Sequence, residues 1–363
     1  MSKIIAIGTA VPEHRSKQTA ILEFMHAAYS NETASRKLNV LFSHSGIEER
    51  YSVLPDFDKA RNEPVFFNGV PSSANVVNRL DVFKERAIPL AIEAIHSAFK
   101  KINTTVEAYG VTHLVTVTCT GMSAPGIDAD IIRQLNLPED IFRTSVNFLG
   151  CNAAFHAMKI ADMICRTEPD AKVLIVCAEL CTLHFQPKDN HDNLLSNTIF
   201  GDGAAALIVT ADEAAKGQKG FTINGFYSLL LNKGRDLMGW NVTPLNFEMI
   251  LDARIPEFIG SEAGSIVKKA ALKYKISPES ITNWAIHPGG KKILDTIKKQ
   301  LALTEEQLKP SYKVLSEYGN MSSPTIVFVL NEFMEDPAKH GEDIFAIGFG
   351  PGLSIETALL KYE

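Results

Sequence analysis

The chain has 363 residues, 45% of them hydrophobic and 21% charged. At roughly 150 residues per domain this is two domains or one large double one, and the composition excludes a disordered chain, a collagen, a coiled coil and a small disulfide scaffold. A formal net charge of −6 argues against a general binder of nucleic acid or of anionic membranes.

The apolar runs are short, and none approaches the ~18 residues that a membrane span needs. Near the N-terminus, Ile4-Ile5-Ala6-Ile7 is followed at once by Gly8, too brief for the core of a secretion signal. The cysteines stand at 119, 151, 165, 177 and 181, an odd number with no Cys-x-x-Cys pair. A disulfide framework and a bound metal are therefore not expected, and a reducing cytoplasm is the expected compartment.

Short apolar runs alternate with amphipathic helices, the pattern of an α/β protein. Ile4–Ile7 reads as a first strand ended by Gly8. Residues 78–100 read as a long helix with apolar positions Val82, Phe83, Ile88, Ala91, Ile92, Ile95 and Phe99, kinked at Pro89. His113–Thr118 and Lys172–Cys177 read as strands, the second with the continuous apolar run of a buried central strand. Ile127–Leu135, Ala153–Cys165, Pro256–Leu272, Gly290–Leu301 and Thr325–Met334 read as helices. The halves echo each other: Gly-x-Gly turns at Gly201 and Gly350 each lead into an apolar strand. Val115–Gly121 and Trp284–Gly290 precede them as strand-to-loop segments. A boundary falls at about 215/216, in the polar stretch around Ala211–Gln218.

Chemistry concentrates at four places. Cys151, in Phe148-Leu149-Gly150-Cys151-Asn152-Ala153-Ala154-Phe155, follows an extended stretch and precedes an alanine-rich helix. That puts its thiol on a sharp turn at a helix N-terminus, where the local positive potential favours the thiolate. The other reading is a buried structural cysteine, which Cys165 and Cys177 fit well. His287, in Trp284-Ala285-Ile286-His287-Pro288-Gly289-Gly290, ends a short strand where Pro288 stops the ladder. Open α/β sheets place ligands at such strand ends, and a satisfied structural histidine is equally compatible. Asn320, in Tyr318-Gly319-Asn320-Met321-Ser322-Ser323-Pro324, has an ordinary explanation as a helix cap. Gly348-Phe349-Gly350-Pro351-Gly352 is a tight turn that lets another group approach the backbone closely. No GxxxxGK[ST], HExxH or GxSxG occurs, and the last turn lacks the order of a dinucleotide-binding loop.

Together these motifs, with Phe200-Gly201-Asp202-Gly203-Ala204-Ala205-Ala206, resemble the type III polyketide synthases, the chalcone-synthase-like branch of the thiolase superfamily. The resemblance runs over essentially the whole chain. It implies a duplicated αβαβα thiolase fold, divided here as 1–215 and 216–363, and a homodimer. It implies decarboxylative condensation of malonyl-CoA onto an acyl-CoA starter, followed by cyclisation or release of an aromatic or pyrone product, with CoA thioesters as substrates and no other cofactor. Cys151 would carry the acyl chain, and His287 and Asn320 would complete a Cys-His-Asn triad. Phe200 matches a gatekeeper, and Phe247 stands near a second one. Cys119, Ala124, Cys181, His184, Gly350 and Pro351 fall at or near cavity positions, Ala124 on the loop that enters the partner's cavity. Lys37 matches one member of a CoA-binding basic cluster, while Val40 and His44 stand where further basic residues are usual. Gly289, Gly290 and Lys292 are further candidates for CoA contact. Phe155 departs from the pattern, being bulky where glycine is usual. The competing readings are a β-ketoacyl-ACP synthase III-like enzyme of one condensation and a non-catalytic partner of an active homologue.

Overall fold

The computed structural model describes residues 1–29, 31–57, 66–67, 74–215 and 217–363. The strands are β1 (Ser2–Ala10), β2 (His14–Lys17), β3 (Glu49–Ser52), β4 (His113–Thr118), β5 (Phe142–Asn147), β6 (Lys172–Leu180), β7 (Asp202–Ala211), β8 (Phe221–Leu230), β9 (Met238–Val242), β10 (Phe247–Leu251), β11 (Asn283–Ile286), β12 (Asp343–Gly350) and β13 (Ser354–Tyr362). The helices are α1 (Gln18–Tyr29), α2 (Glu32–His44), α3 (Val76–Lys101), α4 (Val106–Tyr109), α5 (Ile127–Gln134), α6 (Ala153–Thr167), α7 (His191–Ile199), α8 (Ile255–Tyr274), α9 (Lys291–Gln300), α10 (Lys309–Tyr318) and α11 (Ser323–Met334).

Nine strands form one sheet in the order β11-β12-β13-β8-β1-β7-β6-β4-β5. On one side β4 and β6 are parallel, β6 and β7 antiparallel, and β7 and β1 antiparallel. On the other side β11 and β12 are parallel, β12 and β13 antiparallel, and β13 and β8 antiparallel. The same sequence of pairings thus occurs twice, and the β1–β8 pair joins the two copies. This is the echo expected from the Gly-x-Gly segments, which lead into β7 and β13. The polar stretch after β7 connects it to β8; Lys216 in that stretch lies outside the described residues.

Burial divides the chain into five layers. The inner faces of both halves, through residues such as Val115, Ile175, Leu207, Ala346 and Leu360, share one core with α6 and α11. The outer face of the first half packs on α1, α2, α3 and α5, and that of the second half on α8, α9 and α10. Every strand of the first half's centre is covered on both sides, which is why Lys172–Leu180 and Asp202–Ala211 are almost continuously apolar. This is the duplicated αβαβα arrangement anticipated from the resemblance.

Three departures from expectation have local causes. Gly8 does not end β1; a Cβ there would lie 2.2 Å from Ala94 O and Ala98 N, so the glycine lets α3 pack hard against the strand. The helix α3 starts at Val76, two residues before the expected start, from a capping box formed by Asn75 and Asn78. The helix α7 escaped the periodicity because two of its faces border cavities, leaving no single apolar stripe. Among the described residues, no helix is long and apolar enough to cross a membrane, and no cluster of His, Cys, Asp and Glu is arranged to hold a metal ion.

Candidate active site

The turn that carries Cys151 is held open by two positive φ angles. Phe148 has φ 58° and Gly150 φ 79°, after which Gly150–Asn152 makes a single 3₁₀ turn into α6. Gly150 is doubly constrained, because a Cβ would lie 2.2 Å from the Pro351 ring. From the other side, a Cβ on Gly350 would lie 2.3 Å from Asn152 Oδ1, and one on Gly348 2.6 Å from the Phe155 ring. The glycine-rich segment around Gly348–Gly352 therefore seats the nucleophile turn, and Gly348 makes the room that the bulky Phe155 occupies.

Asn320 comes from the start of the other central helix. Its side chain meets Cys151 Sγ, with Nδ2 at 3.9 Å and Oδ1 at 4.0 Å. The oxygen accepts the Ser322 backbone N–H at 2.8 Å and faces Thr325 Oγ1 at 3.4 Å. Asn320 is thus partly the turn-forming residue of the ordinary reading, yet its amide N–H donors remain free toward the thiol. Its backbone is stitched to the gatekeeper position: Asn320 N–H donates to Ile199 O at 2.8 Å, and Gly201 N–H to Asn320 O at 3.0 Å.

His287 follows β11, and its N–H donates to Ile347 O at 2.9 Å. It is 1% exposed, and neither ring nitrogen has a hydrogen-bond partner among the described residues, Cys151 included. Gly289 lies beside the ring; a Cβ there would be 3.8 Å from Nε2. Burial pulls the imidazole down to about 3 and pushes the Cys151 thiol up to about 11, the latter opposed by bonds from Ser322 and Asn320. Burial acts against the expectation of a thiol acidified by its helix, because desolvation of the charged form outweighs the bonds that favour the thiolate. Thiol and imidazole both rest neutral.

A buried carboxylate that no motif announced sits beneath the thiol. Glu179, fully buried in β6, accepts from Cys119 N–H at 2.8 Å, Thr120 N–H at 3.1 Å and Thr120 Oγ1 at 2.7 Å. It also accepts from Thr118 Oγ1 at 3.3 Å and Ser323 Oγ at 2.7 Å. It ties the loop after β4 to the start of α11, and burial raises its own pKa. A charged residue inside an apolar strand (Val-Cys-Ala-Glu-Leu) was the available signal.

Cys151 opens into a small cavity of about 20 Å³, lined among others by Cys119, Cys181, Phe200, Trp240 and Pro351. Cys181 and Phe200 also line a larger cavity of about 50 Å³, together with His184 and Phe247. His184 donates from Nε2 to Thr120 O at 2.8 Å and accepts the Phe247 N–H on Nδ1 at 3.0 Å. The two rings stack at 4.5 Å. With Trp240 Nε1–H donating to Cys119 O at 2.7 Å, this clips the β9–β10 hairpin over the thiol pocket. The sequence reading did not single out Trp240. A third cavity, of about 240 Å³, is lined by Val40, His44, Gly289, Gly290 and Lys292. Lys37 lies elsewhere, paired with Asp189 at 2.9 Å. Ala124 is exposed on its loop and lines none of these three cavities.

A thiol at the start of one central helix and an amide at the start of its structural twin belong to a condensing acyltransferase of the thiolase fold. The comparisons give the family. Residues 1–213 match the chalcone and stilbene synthases, N-terminal domain, and residues 230–362 match the C-terminal domain. The chain belongs to this family and is a type III polyketide synthase. It is 29% identical to a 3,5-dihydroxyphenylacetyl-CoA synthase of Streptomyces toyocaensis, over 99% of this chain and 90% of the relative. It is 33% identical to the alpha-pyrone synthesis polyketide synthase-like Pks18 of Mycobacterium tuberculosis, over 84% of this chain and 75% of the relative. Among solved structures it resembles PKS-I of the brown alga Ectocarpus siliculosus, with TM-score 0.93 and 28% identity over 100% of this chain and 98% of that one. It also resembles the C-terminal type III polyketide synthase domain of Steely1 from Dictyostelium, with TM-score 0.90 and 27% identity over 99% of each chain.

Proposed function

We propose that Cys151, His287 and Asn320 carry the condensation chemistry, with an acyl-CoA starter and malonyl-CoA as substrates. The observation that carries this reading is the amide of Asn320, held by Ser322 so that its N–H donors face Cys151. Cys151 Sγ attacks the starter's thioester carbon, His287 takes the thiol proton and returns it to the departing CoA sulfur, and the acyl chain stays on Cys151. Malonyl-CoA then loses CO₂, and its thioester oxygen gains the negative charge. N–H donors on Asn320 and His287 stabilise that oxygen more than the ground state. The enolate carbon attacks the acyl carbon, and Cys151 leaves as the thiolate.

The third cavity, with Gly289, Gly290 and Lys292, fits the CoA arm, and Lys37 would act at its approach. Phe200 and Phe247 act as gatekeepers, and Cys119, Cys181 and His184 line the path of the chain, beside the Gly350–Pro351 wall. A homodimer is part of the same reading. The edge strand β5 is largely exposed, and so are Met122 and Leu149 close to the site. Ala124 would meet the partner's cavity there. The division at 215/216 and a cytoplasmic location belong to this proposal too. Intact-mass measurement after incubation with acyl-CoA tests it: the adduct should map to Cys151 and vanish in Cys151→Ala. Cys151→Gln should keep malonyl-CoA decarboxylation, because both donors remain. An adduct on another cysteine in Cys151→Ala would overturn the nucleophile assignment.

A further inference from the structure

Phe200 and Asn320 are joined by an isolated parallel bridge. Phe200 caps the C-terminal end of α7, and Asn320 lies just ahead of α11. Asn320 N–H donates to Ile199 O and Gly201 N–H to Asn320 O, so the bridge is bonded on both sides of Phe200. A group that fixes the end of α7 therefore also fixes the residue whose amide faces Cys151.

Arg50, in β3 and 4% exposed, is such a group. Its Nη1 donates to Phe200 O and its Nε to Gln18 Oε1 at 3.0 Å. Gln18 in turn donates from Nε2 to Thr198 O at 2.8 Å. Both carbonyls belong to the C-terminal end of α7, the negative end of its dipole. No carboxylate is bonded to the guanidinium among the described residues. The charge of Asp202 acts on it, but the oxygens of Asp202 accept from Val53 N–H, Thr182 N–H and Thr182 Oγ1. An apolar side chain of similar volume would fill this space without the cost of burying a charge. The charge is spent on the helix end.

The stem of Arg50 is wedged under the bridge. A Cβ on Gly319 would lie 2.9 Å from Arg50 Cγ and Cδ and 2.7 Å from Ile199 O. One on Gly201 would lie 2.9 Å from Tyr318 O and 3.5 Å from Arg50 Cβ. A glycine on each side of the bridge thus lets the side chain run this close. The next residue in β3, Tyr51, stacks its ring on Tyr318 at 5.8 Å.

We propose that Arg50 is a positioning residue for malonyl-CoA decarboxylation: its bond to the Phe200 carbonyl fixes the bridge, and the bridge fixes the direction in which Asn320 offers its N–H donors. The proposal rests on the reading that Asn320 stabilises the enolate oxygen. It requires a selective defect, because Cys151 and His287 stand on the turn before α6 and at the end of β11, to which Arg50 is not bonded.

Two rates test it on the full chain: acylation of Cys151 by an acyl-CoA starter, from intact mass in a single turnover, and steady-state decarboxylation of malonyl-CoA. Arg50→Lys keeps the charge and loses the planar fork that serves two acceptors. Its decarboxylation kcat should fall roughly 3- to 10-fold, with KM and the acylation rate unchanged. In an Asn320→Ala background, Arg50→Lys should cause no further loss, because the group that it aims is gone. If a melting curve shows that Arg50→Lys does not fold, Gln18→Met, which removes the acceptor of Nε, decides by the same comparisons. A folded variant that decarboxylates at the wild-type rate overturns the proposal. So does one whose acylation falls as far as its decarboxylation, or a further loss in the Asn320→Ala background. Normal decarboxylation by Asn320→Ala alone would instead remove the role of Asn320, and the proposal with it.

Discussion

Asn320 turns its carbonyl oxygen to the Ser322 N–H at 2.8 Å and its amide nitrogen to Cys151 Sγ at 3.9 Å. One side chain therefore does two separable jobs, one structural and one chemical. Asn320→Ala removes both: the lost turn bond should cost about 1 kcal/mol of stability, and the lost donor roughly 10²–10³ in malonyl-CoA decarboxylation. Asn320→Asp keeps the acceptor and removes the amide donor. Its buried carboxyl costs stability too, so a melting curve must first show a folded variant, which should lose a similar factor in rate. If Asn320→Asp decarboxylates normally, the donor has no part in the chemistry.

Glu179 holds two backbone N–H groups and three hydroxyls with one carboxylate. Glu179→Ala should orphan these donors and destabilise by more than ~3 kcal/mol. Glu179→Gln can keep its oxygen on the loop donors and turn its NH₂ to Ser323, so it should recover most of that loss in chemical unfolding. The carboxylate also raises the Cys151 thiol. Alkylation of Cys151 by iodoacetamide, which needs the thiolate, should thus shift to lower pH in Glu179→Gln. An unshifted profile would mean that the carboxyl is already neutral beneath the thiol.

Much of this site was legible because its motifs are short, local and glycine-marked. Gly150-Cys151, His287-Pro288-Gly289-Gly290 and Gly348–Gly352 sit where backbones approach too closely for a Cβ or where φ is positive, and such positions tolerate few alternatives. The repeated halves were visible for the same reason, in the Gly-x-Gly turns before β7 and β13. What stayed hidden depends on contacts remote in sequence. Glu179 meets Cys119 and Thr120 about 60 positions earlier and Ser323 144 positions later. A helix terminus beside Cys151 is visible in sequence, whereas the burial that pushes its thiol up is not. Ala124, which the resemblance puts on the loop that enters the partner's cavity, is exposed and lines none of the three cavities around the site.

Acid should destabilise the protein through its buried histidines. His184 and His287 both fall from the ordinary 6.5 to about 3, chiefly by desolvation. The unfolded chain then binds more protons than the folded one between those values. The stability these neutral rings provide is complete above about 6.5 and is lost as pH falls toward 3. Each ring contributes up to ~1.4 kcal/mol per pH unit in that window. Urea unfolding at stepped pH should show a shallower slope for His287→Gln, which removes one titrating ring. An unchanged slope would assign the acid loss to other groups.

The throat of the cavity should control chain length. Cys181 lines both the thiol pocket and the larger cavity beyond it, and it is 7% exposed. Cys181→Phe narrows the passage and leaves the Cys151 thiol in the chain, so starter loading should persist while each product contains fewer malonyl units. Overpacking a buried position typically costs 1–3 kcal/mol, so a melting curve must first show a folded variant. The companion is Ala124→Trp. Ala124 is exposed and lines no described cavity of its own chain, so a change in product there requires the second copy, and it should disappear under conditions that dissociate the dimer. If folded Cys181→Phe makes the wild-type product distribution, the chain does not grow through this throat. The larger cavity would then lose its place in product selection, while loading on Cys151 would stand.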